Sequence, residues 1–136
     1  MKPSPVTSSN YRVDAGASAV QEILAAPELP TVIFCGSDLI AMGAMNALQQ
    51  AGVKVPEDVS IVGIDNLSFA FLTRPPLTTV SVPREQLGVS AFHALEKMLR
   101  LKRHNGAEYT LETELVIRKS TGPARTKDLG AGRRKS

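Results

Sequence analysis

Two apolar runs in this sequence end abruptly in short polar side chains. "TVIFCG" leads into Ser37–Asp38, and "DVSIVGI" leads into Asp65–Asn66. A carboxylate just past the carboxyl end of a buried strand can accept hydrogen bonds from the hydroxyls or amides of a small ligand. It can also do the humbler work of capping a helix or shaping a turn. For Asp38 the capping role is well supplied, because a helical pattern begins at once and its first backbone N–H groups need acceptors. For Asp65 it is not, since no helical pattern starts directly behind it. Turn-former and ligand hook both stay open for Asp65 on periodicity alone.

Covalent chemistry has little to work with. There is no Gly-rich phosphate loop and no G-x-S-x-G elbow. No set of metal-ligand spacings is present, so neither a catalytic residue, a metal site nor a cofactor is expected. His93 and His104 lie on and just past one helical segment, far in sequence from Ser37 and Asp65. A phospho-acceptor role for Asp65 would need further carboxylates for Mg²⁺, and only Asp38 is at hand.

The elements that must position these residues follow from periodicity. "GASAVQEILAAPELP" sets Ala17, Val20, Ile23, Leu24 and Ala26 near one helical face, with Pro27 and Pro30 as its end. "TVIFCG" (31–36) reads as a short buried strand. "LIAMGAMNALQQAG" is a helix capped by Ser37 and Asp38 and closed by Gly52, and its small residues Ala41, Gly43, Ala44 and Ala47 permit close approach. "DVSIVGID" reads as a strand covered on both faces. "NLSFAFLTRPP" is a connection, and the β-branched "LTTVSV" (77–82) is a further strand. Pro83 opens a helix whose apolar face holds Leu87, Ala91, Ala94, Leu95, Met98 and Leu101. "EYTLETELVIRKS" alternates as a strand, with Leu111, Leu115 and Ile117 as inward candidates. Buried strands alternating with helices predict an α/β layered fold with a mostly parallel sheet flanked by helices. Ligands of such sheets lie outside the carboxyl ends of the strands. If the two strands are neighbours, Ser37, Asp38, Asp65 and Asn66 share one rim.

The totals agree with one modest soluble domain. The chain has 136 residues, 43% of them hydrophobic and 21% charged. No apolar run is long enough to cross a bilayer and the first residues hold no apolar signal core, so a cytoplasmic setting is expected. The single cysteine, Cys35, sits in an apolar run and reads as a buried small hydrophobe. Charge is uneven. Residues 1–117 carry 9 basic and 12 acidic side chains, while 118–136 carry seven basic ones against Asp128. Residues 1–13 are expected to be a flexible start, 14–120 the domain, and 121–136 a basic disordered tail.

With these residues placed, the chain resembles the C-terminal part of the sensor of LacI/GalR-type transcriptional regulators. The resemblance is carried by "PTVIFCGSDLIAMGAMNALQQAGVKVPEDVSIVGIDN", "RPPLTTVSVPREQLGVSAFHALEKML" and "ELVIRKST", in that order, from about Leu29 to Thr121. It implies a partial periplasmic-binding-protein-like fold: the C-terminal lobe plus a piece of the N-terminal lobe, with Pro83 to about Arg103 resembling the helix that returns to that lobe. The helix-turn-helix and hinge of the family have no counterpart here, so DNA would be reached only through an N-terminal domain outside this chain.

The resemblance also assigns roles. Asp65 matches the family aspartate that bonds effector hydroxyls or ring nitrogens, with Ser37 and Asp38 at the neighbouring strand end. Phe69, in the following loop, could stack on the ligand. Leu39–Leu48 resembles the helix by which sensors pair as homodimers, with Met42 and Met45 as contacts or, equally, as core. The implied effector is a small sugar or a nucleobase-like molecule. A sugar-binding protein of a transport system shares this lobe and is the alternative. One departure is Ile64, where many relatives carry an aromatic residue. A sheet and a helix deprived of their neighbours are expected to leave apolar surface open.

Overall fold

A computed structural model describes residues 5–6, 10–101 and 108–125. Four strands form one sheet in the order β1 (Val32–Phe34), β2 (Ser60–Ile64), β3 (Thr78–Ser81) and β4 (Glu114–Val116). β1, β2 and β3 run parallel; β4 joins β3 antiparallel, with Val80 opposite Leu115. Three helices accompany them: α1 (Val13–Ala25), α2 (Asp38–Gln50) and α3 (Arg84–Leu101). The layered, mostly parallel α/β sheet expected from the sequence is the one observed.

The sequence makes α2 the best-defined helix. The Ser37 hydroxyl accepts the Ile40 amide at 3.2 Å and caps its start, worth about 1 kcal/mol. At its end Gly52 takes φ +76, Val53 N–H returns to the Leu48 carbonyl and Gly52 N–H to that of Gln49. This is a Schellman closure, and Val53 packs back on the core beside Leu48. The inward face of α2, with Ala41, Ala44, Met45 and Leu48, meets Ile61 of β2 and Leu77 just before β3. Each fully buried aliphatic side chain there, such as Leu48, Ile61 or Leu77, contributes about 1.5–3 kcal/mol. Cys35 is buried in the same cluster. Burial, and next the charge of Asp38, pushes its thiol up to about 12.

α1 lies on α2 at backbone contact. A β-carbon at Gly43 would fall on the Val13 carbonyl oxygen, and one at Gly16 on the Ile40 carbonyl oxygen, 2.8 Å from the Ala44 nitrogen. The buried side of α1 is therefore Ala15, Gly16 and Val20. The stripe expected from periodicity is turned: Val20 belongs to it, but Leu24 and Ala26 face out. Glycine, scored as neutral in an apolar pattern, is here the residue of closest contact.

A polar tie joins α2 to the strand layer. Asp38, in the first turn of α2, is fully buried. Its Oδ1 accepts the Thr79 hydroxyl of β3 at 2.5 Å and its Oδ2 accepts the Leu67 amide at 2.8 Å. Gly63 of β2 makes the room, because a β-carbon there would overlap Asp38 Oδ1.

The segment after β4 laces the amino-terminal side of the sheet. Ser120 is fully buried. Its hydroxyl donates to the Ile61 carbonyl at 2.6 Å and accepts the Thr78 amide at 2.8 Å, while its carbonyl accepts the Ile61 amide at 2.8 Å. Thr121 bonds Thr78, Gly122 bonds Ser60, and Arg125 donates to the Leu29 carbonyl. Residues 121–125, expected as the start of a free tail, are thus fastened to the body. The rest of that tail (126–136), and residues 1–4 and 7–9 of the expected flexible start, lie outside the described residues.

Three elements depart from the buried pattern. Only Ile33 of β1 turns toward α2; Val32 and Phe34 face outward, Phe34 being 64% exposed. The strand expected to be buried is covered on one face. In β4, Leu115 and Ile117 are exposed and Val116 is half-buried, so the inward register is the opposite of the expected one. α3 buries none of its residues; Leu87, Phe92, Leu95 and Leu99 all lie open.

Three substitutions check this packing. Gly43→Ala should lower stability by about 1–3 kcal/mol in chemical denaturation, as an overpacked contact does. Gly88→Ala, on α3 with nothing within 4 Å of the added carbon, should instead leave stability unchanged or raise it by up to about 1 kcal/mol. Thr79→Val removes one of the two donors to a buried carboxylate and should cost about 1–3 kcal/mol; a loss below measurement error would show that the tie carries no load.

Candidate functional site at the strand carboxyl ends

Parallel pairing of β1 with β2 brings Ser37–Asp38 and Asp65–Asn66 onto one rim, as the sequence required of them. The end of β3 and the start of α3 complete it with Ser81 and Arg84. The four predicted rim residues do not play equal parts.

Ser37 is buried and its hydroxyl oxygen serves the helix cap. Asp38, expected both to cap and to face the ligand, does neither: Ser37 is the cap, and both Asp38 oxygens point inward to Thr79 and Leu67. A carboxylate so satisfied and so buried is a structural tie. Phe69 stands at the head of a short 3₁₀ turn (Ala70–Leu72), 37% exposed. Phe71 and Leu72 beside it are more open still. Met45 is part of the core, the second of the two roles the sequence leaves open for it, and not a partner-facing residue; Met42, about one helical turn away, is half-buried.

Asp65 is different. Its backbone takes φ +116 and Asn66 follows at φ +51. Side chains other than glycine seldom adopt such angles, and the cost is about 1–3 kcal/mol each for the sparsely populated regions. The neighbours hold the corner in place. The Asp65 amide donates to the Val80 carbonyl at 2.9 Å, and Arg84 Nη1 donates to the Asp65 carbonyl at 2.6 Å. Asn66 donates from its amide to Thr79 Oγ1 and from Nδ2 to Ser81 Oγ, each at 3.3 Å. Arg118 donates to Asn66 Oδ1 and to the Leu77 carbonyl, both at 2.7 Å. Apart from the Arg118 bond to Leu77, these contacts use backbone atoms of Asp65 or the side chain and backbone of Asn66. Among the described residues, none engages the Asp65 carboxylate. Acceptor-only and half-buried, it is available to two donors of a ligand.

Thr79, Ser81, Arg84 and Arg118 hold the corner; of these only Arg84 stands out in the sequence, as lying with Val82 in the region where the chain crosses between lobes in the family it resembles. Thr79 reads in the sequence as one more β-branched strand residue, and Arg118 as one of a basic run. Only the sheet register reveals that they converge. The rim shares none of these residues with the groove of about 410 Å³ lined by Met45, Gln49, Val53, Val55, Arg74 and Pro75 among others, from the end of α2 and the loops that lead into β2 and β3. No group of three or more His, Cys, Asp or Glu side chains able to hold a metal occurs among the described residues. No described helix is long and apolar enough to cross a membrane.

Comparison with known proteins places this geometry. Residues 2–121 match the periplasmic binding protein-like domain. The HTH-type transcriptional repressor PurR of Vibrio campbellii is 37% identical over 113 residues, which are 83% of this chain and 34% of PurR. The HTH-type transcriptional repressor CytR of Escherichia coli is 36% identical over 119 residues, 88% of this chain and 35% of CytR. The chain thus spans about a third of the length of the curated relatives it matches. A LacI family transcriptional regulator of Enterococcus faecalis, solved with bound ribose, superposes with a TM-score of 0.76 at 37% identity, covering 85% of this chain and 43% of that one. These relatives are regulators of transcription. By fold and by sequence, the chain belongs to the periplasmic binding protein-like family, as part of a LacI-type sensor domain.

Proposed function

We propose that this chain is the effector-binding portion of a LacI-type transcriptional regulator, and that Asp65 is its principal ligand hook. The observation that carries the reading is the unengaged Asp65 carboxylate, presented on a strained corner where the Asp65 amide and carbonyl and the Asn66 amide and side chain are all hydrogen-bonded. A built corner that leaves one acceptor-only group unused suits a ligand rich in donors. A small sugar, with adjacent hydroxyls that a single carboxylate can bridge, fits this best; a nucleobase-like ring with N–H donors is the second fit. The ribose bound in the Enterococcus faecalis relative supports the first. Ser37 and Asp38 support the rim from behind, and Phe69, exposed in the loop after β2, is our candidate for an apolar face toward the ligand.

The names of the relatives favour a cytoplasmic repressor over a transport protein. In this reading DNA is contacted by a domain other than the one described, and no catalytic step is involved. Ligand binding biases the closure of two lobes and so the DNA-reading head. The regulator acts as a homodimer, with Met42 and the exposed Phe71 and Leu72 as surface candidates.

The test is ligand titration followed by amide chemical shifts, using D-ribose, hexoses, disaccharides, purines and nucleosides. Saturable shifts should centre on Gly36, Asp65 and Asn66. Asp65→Asn keeps the shape and removes the charge, so affinity for the responding compound should fall by roughly tenfold or more, the effect of a lost charged hydrogen bond. An undiminished affinity in Asp65→Asn would sink the assignment.

A further inference from the structure

α3 is attached to the body by very little. None of its residues is buried. Its ion pairs, His93–Glu96 and Glu96–Arg100, stay within the helix. Among the described residues, the one side-chain hydrogen bond from α3 to the sheet layer runs from Arg84 Nη1 to the carbonyl of Asp65, at 2.6 Å. That carbonyl belongs to the residue whose backbone stands at φ +116. The helix and the ligand hook therefore share one bond, and it lies at the first turn of α3.

The bond has direction as well as place. Arg84 follows Val82 and Pro83, which lead out of β3, and its own amide is turned back to the Val82 carbonyl at 2.8 Å. The root of the helix is thereby fixed next to Ile64–Asp65 by sheet pairing, because Ile64 lies opposite Val80. What sheet pairing does not fix is the angle at which the remaining turns leave. A guanidinium that donates to a fixed carbonyl supplies that restraint, and in return holds the peptide plane that aims the Asp65 side chain. Arg118 acts one residue along, on the Asn66 side chain, and among the described residues its hydrogen bonds run to Thr78, Leu77 and Asn66, none of them on α3.

We propose that Arg84 is the positioning residue of the rim: it sets the aim of the Asp65 carboxylate and the attitude of α3 through a single bond. A ligand that rotates Asp65 then tilts α3, and a displaced α3 changes how Asp65 meets ligand. The significance of this link for sensing rests on Asp65 being the ligand hook, but the link itself does not.

The experiment needs no ligand, so the two claims can fail separately. Spin labels at Lys97→Cys on α3 and Asn46→Cys on α2 report the helix attitude by pulsed electron resonance, with labelled protein diluted in unlabelled chain. The three-bond HN–Hα coupling of Asp65 reports its φ. The unmodified Arg84 protein should give a narrow distance distribution and a coupling typical of positive φ. Arg84→Met should broaden the distribution and move the coupling toward extended values, while exchange protection of the β2 and β3 amides stays in place. Arg84→Lys, which keeps a donor, should restore both readings in part. Asp65→Asn keeps the carbonyl and should leave the distribution narrow. An unbroadened distribution or an unmoved coupling in Arg84→Met overturns the proposal, and so does a broadened distribution in Asp65→Asn. Loss of sugar response with the bond intact would count only against the ligand reading.

Discussion

The structure depends on a carboxylate that never meets solvent. Asp38 is drawn into the space between α2 and the strands, where a hydroxyl and an amide from two separate segments neutralise the cost of burying it. An isolated buried charge would be intolerable, so the three groups define each other's positions. In the folded state helix α2, strand β3 and the loop after β2 are thereby locked to one another. Gly63 is the condition for this, since any side chain on that face of β2 would displace the carboxylate. Because Thr79 also accepts from the Asn66 amide, the tie that closes the layers also steadies the corner bearing Asp65. Fold and site rest on one hydrogen-bonded chain from Asp38 through Thr79 to Asn66.

Much of the frame could be read from the residues. Ser37 before an Ala- and Met-rich run and Gly52 behind it mark both ends of α2, because caps act within a turn and leave local signatures. The runs ending at Gly36 and Ile64 announce parallel strands, and parallel neighbours put their carboxyl ends on one rim whatever the loops do. The rest was not legible, for physical reasons. Asp38 resembles a cap in sequence, since capping and buried bridging call for the same residue type at the same place; the choice is made by Thr79, 41 positions later. The outward register of β4 depends on how it meets β3, and alternation alone cannot say which of two faces is covered. Ser120 looked like the edge of disorder because its partners, Ile61 and Thr78, are all distant in sequence.

The division of labour at the site follows the same pattern. The residue offered to the ligand, Asp65, was found by type and location. The residues that hold it, Arg84, Arg118, Thr79 and Ser81, come from three places along the chain and have no common motif. The open surfaces of β1 and α3 have a parallel explanation. An α/β sheet is built to be covered on both faces, and the chain accounts for about a third of the length of its curated relatives. The apolar residues on Phe34's side of the sheet and along α3 have the character of core residues without the layer that would make them so.

The lacing by Ser120 carries one more implication, for the order in which the molecule comes into being. β2 and β3 are bridged at their amino-terminal side by a residue made some sixty positions after Ile61. While the chain is being synthesised, the α1–α2 pair can close early, since its contacts are local. The strands behind it stay unstapled until the residues through Gly122 have emerged from the ribosome, so closure of the sheet follows that of the helix pair.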